Sequence, residues 1–219
     1  MLDVGGTIIE DRGDVPELLR RSLGYHGIAS TPDEIGRWRG ASKREIIRHF
    51  VDQQQRVASA DREKLAGVIY QEFTADLIVA YRSVPPIAGA EDAIREIRQR
   101  GYLVATTTGF DRAITVSVFD RLDWNKYFAA TISSDDVSHG RPSPFMLFHA
   151  MESARVNSVA EVVAVGDTPL DMQAGTNAGM RAVVGVLTGA AKADQLRREP
   201  HTQILPSVAN LPALLASSI

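Results

Sequence analysis

Asp3 is followed at once by Val4-Gly5-Gly6-Thr7, a carboxylate opening onto a glycine-rich turn. Glycines there let the backbone turn sharply and come close to a ligand that a side chain would hold off, and the bare amides of such a turn attract anions. A carboxylate beside an anion-binding turn is equipped for phosphoryl transfer. By itself the pattern equally describes a strand that ends in a turn, so its meaning rests on three later stretches. In Val162-Val163-Ala164-Val165-Gly166-Asp167-Thr168-Pro169-Leu170-Asp171 an apolar run leads straight into two acids. Added to Asp3, Asp167 and Asp171 give the hard oxygen-ligand set that Mg²⁺ accepts while keeping waters and a substrate phosphate; they also fit a helix cap and a first-turn acid. Thr106-Thr107-Thr108-Gly109-Phe110 offers hydroxyls and a glycine, and Asp135-Asp136-Val137-Ser138-His139-Gly140-Arg141-Pro142 a fixed cation ahead of a helix.

Asp14 can cap a helix running through Pro16 to about Tyr25, ended by Gly27. Thr31-Pro32-Asp33-Glu34 and Ser42-Lys43-Arg44-Glu45 each have the form of a capping box, so two short helices meet near Gly40. A longer helix is expected from about Ala60 to Tyr81, and Pro85-Pro86 closes a segment without a convincing strand. From Gly89 the rhythm alternates: helix from Ala90 to Arg100, strand 102–106, helix 111–122, strand 129–133, helix 144–155, strand 162–165, helix 169–178 and strand 182–186. Strands separated by helices imply parallel pairing in a doubly wound α/β sheet, in which ligands sit at the carboxyl ends of the strands. Only Met1 and Leu2 precede Asp3, so the first strand reads as cut short, through a late start or a truncated N-terminus.

A chain of 219 residues, 44% of them hydrophobic, can bury a substantial core as one domain with an insertion or as two small ones. A net charge of −3 with no block of like charge gives no electrostatic reason to bind nucleic acid or an anionic membrane. The absence of cysteine excludes disulfides, thiolate-zinc sites and cysteine nucleophiles and suits a cytoplasmic protein. No apolar run approaches a membrane span.

The order acid-x-x-Gly-Thr, Thr-Gly, Arg-Pro and Gly-Asp-x-x-x-Asp along an α/β chain resembles the haloacid dehalogenase superfamily of aspartate-nucleophile phosphotransferases. The resemblance spans nearly the whole chain and implies a Rossmann-like core from residues 1–13 and 88–219 with an all-helical cap, 14–87, inserted after the nucleophile turn. It implies Asp3 as nucleophile, Thr108 and Arg141 on the phosphoryl group, and Mg²⁺ held by Asp3, Asp167 and the Gly5 carbonyl, with Asp171 as acidic neighbour. The substrate would be a small phosphorylated or phosphonate molecule, and a homodimer through the cap is a further expectation.

Most phosphatases of that superfamily carry a second aspartate two residues after the nucleophile to protonate the leaving group. Here Gly5 stands there, which forfeits the roughly 10²–10⁴-fold that general acid–base catalysis supplies. The phosphonoacetaldehyde hydrolases also lack that acid and cleave a carbon–phosphorus bond through a Schiff base with a cap lysine. Gly40-Ala41-Ser42-Lys43 resembles their cap motif Gly-x-x-Lys, so the resemblance extends to the phosphonatase-like group and implies Lys43 as the imine-forming residue. Arg39, Arg44, the helix N-terminus and burial would each lower the Lys43 pKa from about 10.4. Three departures bear on the substrate: Ile46 replaces a histidine, Arg39 a methionine and Gly5 an alanine. Arg39 adds a cation suited to a carboxylate. Two alternatives stay open, a phosphomonoester phosphatase of the same superfamily and a phosphate-binding regulatory protein without turnover.

Overall fold

The computed structural model describes residues 1–217. After the Asp3 turn the chain enters four helices, α1 (Asp14–Tyr25), α2 (Pro32–Gly36), α3 (Lys43–Asp52) and α4 (Ser59–Tyr81). The long α4 is the spine of this segment: Ile69, Phe73 and Leu77, spaced at one helical turn, are fully buried, and both α1 and α3 pack against it. Its two connections to the rest of the chain lie side by side. Ile9 pairs antiparallel with Pro86, and the Ile87 amide donates to the Ile8 carbonyl at 2.9 Å.

The remainder alternates α5 (Ala90–Gln99), β1 (Ala105–Thr107), α6 (Arg112–Leu122), β2 (Ala130–Ile132), α7 (Phe145–Ser153), β3 (Val163–Gly166), α8 (Pro169–Asn177), β4 (Ala182–Val186), α9 (Ala193–Leu196), β5 (Gln203–Leu205) and α10 (Leu211–Ala216). All pairings among these strands are parallel, β1 with β2, β3 with β4 and β4 with β5. Leu2 bridges Thr106 on one side and Val165 on the other, so the order across the sheet is β2, β1, Leu2, β3, β4, β5. Every residue of β4 is buried, as a strand covered on both faces requires. This is the doubly wound α/β arrangement expected from the alternating elements.

Most element ends fall within a residue or two of the expected ones, and the exceptions have physical causes. Asp14 does not cap α1. Gly13, left-handed at φ 80°, is the N-cap, with its amide held by Asp11 Oδ1 at 2.8 Å, and Asp14 sits inside the first turn, where its charge meets the helix dipole. The Thr31 capping box forms, but the Ser42 box does not: Ser42 makes no side-chain cap bond, because Glu45 is drawn into a distant contact and accepts from the Gly140 amide at 3.2 Å. The strand expected from 102 starts only at Ala105, where Leu2 comes alongside; Tyr102 and Leu103 are 47% and 62% exposed. The edge strand β5 carried no readable pattern, being three residues between Pro200 and Pro206.

Asp111 ties the helical segment to the sheet. Its Oδ1 caps α6 by accepting from the Ile114 amide at 3.1 Å, while its Oδ2 accepts from Tyr70 Oη at 2.6 Å and Thr74 Oγ1 at 3.3 Å, both on α4. Asp111→Ala should therefore cost about 1–2 kcal/mol in urea unfolding through the lost cap, and should speed proteolytic cleavage between residues 14 and 87. Unchanged cleavage would mean that this contact does not hold the segment down.

Candidate active site

Three acids meet at the carboxyl edge of the sheet. Asp3 follows the bridging Leu2 and donates its amide to the Val165 carbonyl at 2.9 Å; Asp167 follows β3 directly; Asp171 lies in the first turn of α8. All three are buried, and each offers an oxygen within 4.8 Å of the others. Thr168 caps α8 in a reciprocal box, its amide and Oγ1 donating to Asp171 Oδ2 at 2.9 Å and 2.5 Å. Asp171 thus serves as helix-cap partner and site acid at once.

Arg141 is the buried counter-charge. Its Nη1 donates to Asp3 Oδ1 at 2.7 Å and lies 2.9 Å from Asp171 Oδ1, and its Nη2 donates to the carbonyl and hydroxyl of Thr107 at 2.7 Å and 3.0 Å. Asp167 accepts from Thr7 Oγ1 at 3.2 Å and from the Ala190 amide at 2.9 Å. Glycines make room for it: a Cβ on Gly6, where φ is +83°, would lie 2.5 Å from Asp167 Oδ2, and one on Gly189 would collide with the same carboxylate. Thr108 Oγ1 accepts from the Phe110 amide at 3.1 Å, which leaves its own O–H free to donate.

Lys43, the first residue of α3, is only 6% exposed. Its Nζ donates to the Ala41 carbonyl at 2.8 Å and lies 5.6 Å over the Phe110 ring. The loop that carries it sits directly on the core. A Cβ on Gly40 (φ +86°) would lie 2.6 Å from Thr168 Oγ1, and one on Gly109 would lie 2.7 Å from the Ala41 carbonyl oxygen. Asp3, Gly5, Lys43, Thr108, Arg141 and Asp167 line one small cavity of about 70 Å³, together with Asp11, Arg39 and Tyr81. Asp171 is off that wall, against Arg141 and Thr168.

Burial dominates the electrostatics. It pushes the Asp3 carboxyl up to about 6, opposed by Arg141 and reinforced by Asp171. Burial, then Asp3 and Asp171, push Asp167 well above the usual carboxylate range, against the Ala190 amide. Lys43 is lowered to about 8 by burial, with Asp3 opposing and Arg141 reinforcing. Arg39 and Arg44 are not among the leading causes: Arg39 is paired with Asp11 at 3.1 Å, and Arg44 lies 4.6 Å over the Tyr70 ring. Arg39 keeps a place on the cavity wall with its Nη1 bound to Asp11.

Three residues at the cavity were not foreseen. Asp11 and Tyr81 sit where the helical segment leaves and rejoins the core, and nothing in their sequence neighbourhood marks them. Phe110 follows the Thr108-Gly109 pair and fills the space in front of Gly5, where a Cβ would lie 3.1 Å and 3.3 Å from its ring carbons. Its position after a strand-end glycine was the one available hint.

The all-oxygen donor set and the raised carboxyls fit Mg²⁺, since a divalent cation would offset the burial and mutual repulsion that raise Asp3 and Asp167. Because their folded-state pKa values are raised, ionisation opposes folding. Stability is full below the unfolded pKa and is lost as pH rises through the folded values, between about 4 and about 6 for Asp3 and higher for Asp167. Added Mg²⁺ should therefore raise Tm, and more at about pH 7.5 than at about pH 5. Asp167→Asn should shrink the rise. A Tm insensitive to Mg²⁺ at the higher pH would contradict this ligand set.

Residues 1–185 match the family model described as haloacid dehalogenase-like hydrolase. A phosphonoacetaldehyde hydrolase of Bacillus cereus is 28% identical over 202 residues, covering 88% of this chain and 76% of the relative. Among solved structures, a phosphonoacetaldehyde hydrolase-like protein from Oleispira antarctica superposes with TM-score 0.83 at 21% identity, covering 99% of this chain and 90% of the other. A hydrolase from Pseudomonas syringae gives TM-score 0.86 at 16% identity, covering 99% and 97%. At such identities the structural likenesses speak for the fold alone, whereas the family model spans most of the sequence: this chain belongs to the haloacid dehalogenase-like hydrolases.

Proposed function

We propose that this hydrolase uses Asp3 as nucleophile and Mg²⁺ as cofactor to cleave the carbon–phosphorus bond of a small phosphonate bearing a carbonyl, which Lys43 engages as an imine. The observation that carries the reading is a pairing: a buried lysine with a lowered pKa faces the carboxylate cluster, and the ring of Phe110 occupies the place in front of Gly5 where a leaving-group acid would stand. The relatives named phosphonoacetaldehyde hydrolase support the same reading.

Each residue then has a task. Arg141 and the Thr108 hydroxyl bind phosphoryl oxygens, and Asp171 and Thr107 hold the Arg141 guanidinium in place. Asp3, Asp167 and the Gly5 carbonyl would hold Mg²⁺, which supplies charge neutralisation at the phosphoryl oxygens. Neutral Lys43 condenses with the carbonyl and releases water. Asp3 attacks phosphorus as the carbon–phosphorus bond breaks, and the departing electron pair moves into the protonated imine to give an enamine. Carbon thus leaves without an acid at position 5. Protonation of the enamine at carbon and hydrolysis of the imine free the carbonyl product, and water hydrolyses the aspartyl phosphate. The helical segment of residues 14–87, seated on the core through Gly40 and Gly109, acts as the cap that keeps bulk water from the imine.

Borohydride added with phosphonoacetaldehyde should inactivate the enzyme and add the reduced substrate's mass at Lys43. Lys43→Arg keeps the charge and should lose turnover and trapping together. An active Lys43→Arg enzyme with no adduct would remove the carbon–phosphorus assignment. Because Lys43 must lose its proton, turnover should rise with pH and level off at about 8 or below, as bound Mg²⁺ depresses the ammonium further.

Gly5→Asp should depress the natural reaction, since the new side chain must displace Phe110. Faster phosphomonoester hydrolysis in that variant, set beside slow hydrolysis by the wild type, would identify the missing acid as the barrier to phosphatase chemistry. A wild type already faster on phosphomonoesters than on any phosphonate would favour the phosphatase reading.

A further inference from the structure

Tyr81, the last residue of α4, is 3% exposed and lines the cavity that holds Asp3 and Lys43. Its ring packs edge-on against Phe110 at 5.1 Å between centroids, in a T-shaped pair, so the phenol is held rigidly. Its hydroxyl points at the Gly5 turn, lying 4.0 Å from where a Cβ on that residue would stand. Buried tyrosines ordinarily find a partner for the O–H. Among the described residues, Tyr81 Oη has no hydrogen-bond partner, yet it is not sealed in the protein like the buried Ser30 hydroxyl. A donor so fixed, unpaired and open to the cavity is arranged for a ligand atom.

We infer that Tyr81 is a substrate-binding catalytic residue that donates a hydrogen bond to the carbonyl oxygen of the substrate while Lys43 attacks the carbonyl carbon. The inference rests on the imine reading above and extends it. Phe110 joins the two groups: Lys43 Nζ lies over its face and the Tyr81 ring meets it edge-on, so a carbonyl resting against Phe110 is reached by amine and phenol together. As the carbon–nitrogen bond forms, the carbonyl π pair moves onto oxygen, the Tyr81 O–H stabilises the growing charge, and a proton passes from the lysine nitrogen to that oxygen. The product is a carbinolamine, with atoms and charge conserved and the phenol unchanged. A fixed donor aimed at the site of developing charge acts where it lowers the barrier most. Burial, then Asp11 and Asp14, push the phenol's pKa upward, which keeps it a donor throughout the working range.

Tyr81→Phe deletes one oxygen and keeps the ring that packs on Phe110. Having no protein hydrogen bond to lose, the variant should keep or raise its Tm. With phosphonoacetaldehyde and Mg²⁺, kcat should fall by about tenfold or more, and borohydride trapping at Lys43 should slow in proportion. Inhibition by inorganic phosphate, which reports Arg141 and Thr108, should stay within about twofold of wild type. Wild-type enzyme trapped at Lys43 with the variant trapped equally fast would overturn the role of Tyr81 alone. Wild-type enzyme that is not trapped would overturn both the imine reading and this inference. A variant whose lost activity tracks a lowered Tm would assign Tyr81 to folding instead and overturn its contact with substrate.

Discussion

Three carboxylates, a guanidinium and an ammonium are taken out of water together at one edge of the sheet. Burying a charge is costly unless it is paired and hydrogen-bonded, and much of the chain is arranged to meet that constraint. Arg141 pairs with Asp3 and Asp171 at once. The Thr168 cap spends its amide and hydroxyl on the same Asp171, so the start of α8 and the site are one construction. Asp167 is held by a loop amide and a threonine, in room that Gly6 and Gly189 leave open. Even so, Asp3 and Asp167 keep raised pKa values. That burial, with the repulsion among the acids, is the physical reason to expect a divalent cation.

The helical segment adds the last charge. Gly40 and Gly109 let two backbones approach closely enough to bring Lys43 over Phe110 and into the carboxylate cavity. The segment is held down by a hydrophobic cluster that runs from Phe73, Leu77 and Tyr81 to Phe110, Ile114 and Val118, and by polar contacts from Tyr70 and Thr74 to Asp111 and from Glu45 to the Gly140 amide. Desolvation in that cavity is what lowers the Lys43 pKa.

The part of this arrangement legible in the sequence was the part set by strand ends. Asp3, Thr108, Arg141 and Asp167 each follow a run of strand or loop residues whose direction the alternating elements dictate, and a parallel sheet brings such ends to one edge. Residues placed by tertiary contact were not legible. Tyr81 and Asp11 stand on the two connections of the helical segment, and the pairing of Ile8, Ile9 and Glu10 with residues 85–87 brings them to the same cavity. The Ser42 capping box failed for the same reason, because Glu45 found a partner 95 positions away. Arg39 and Arg44 are sequence neighbours of Lys43, but burial, Asp3 and Arg141 lead in setting its pKa.

The proposed carbon leaving group rests on the carboxylate cluster, the buried Lys43 and the Phe110 ring in front of Gly5. The most direct test is release of inorganic phosphate from phosphonoacetaldehyde, related oxo-phosphonates and common phosphomonoesters, measured with Mg²⁺ present and then chelated. The proposed carbon–phosphorus cleavage requires Mg²⁺-dependent release from a carbonyl phosphonate and slow release from the esters. Rapid release from the esters with none from any phosphonate would contradict it.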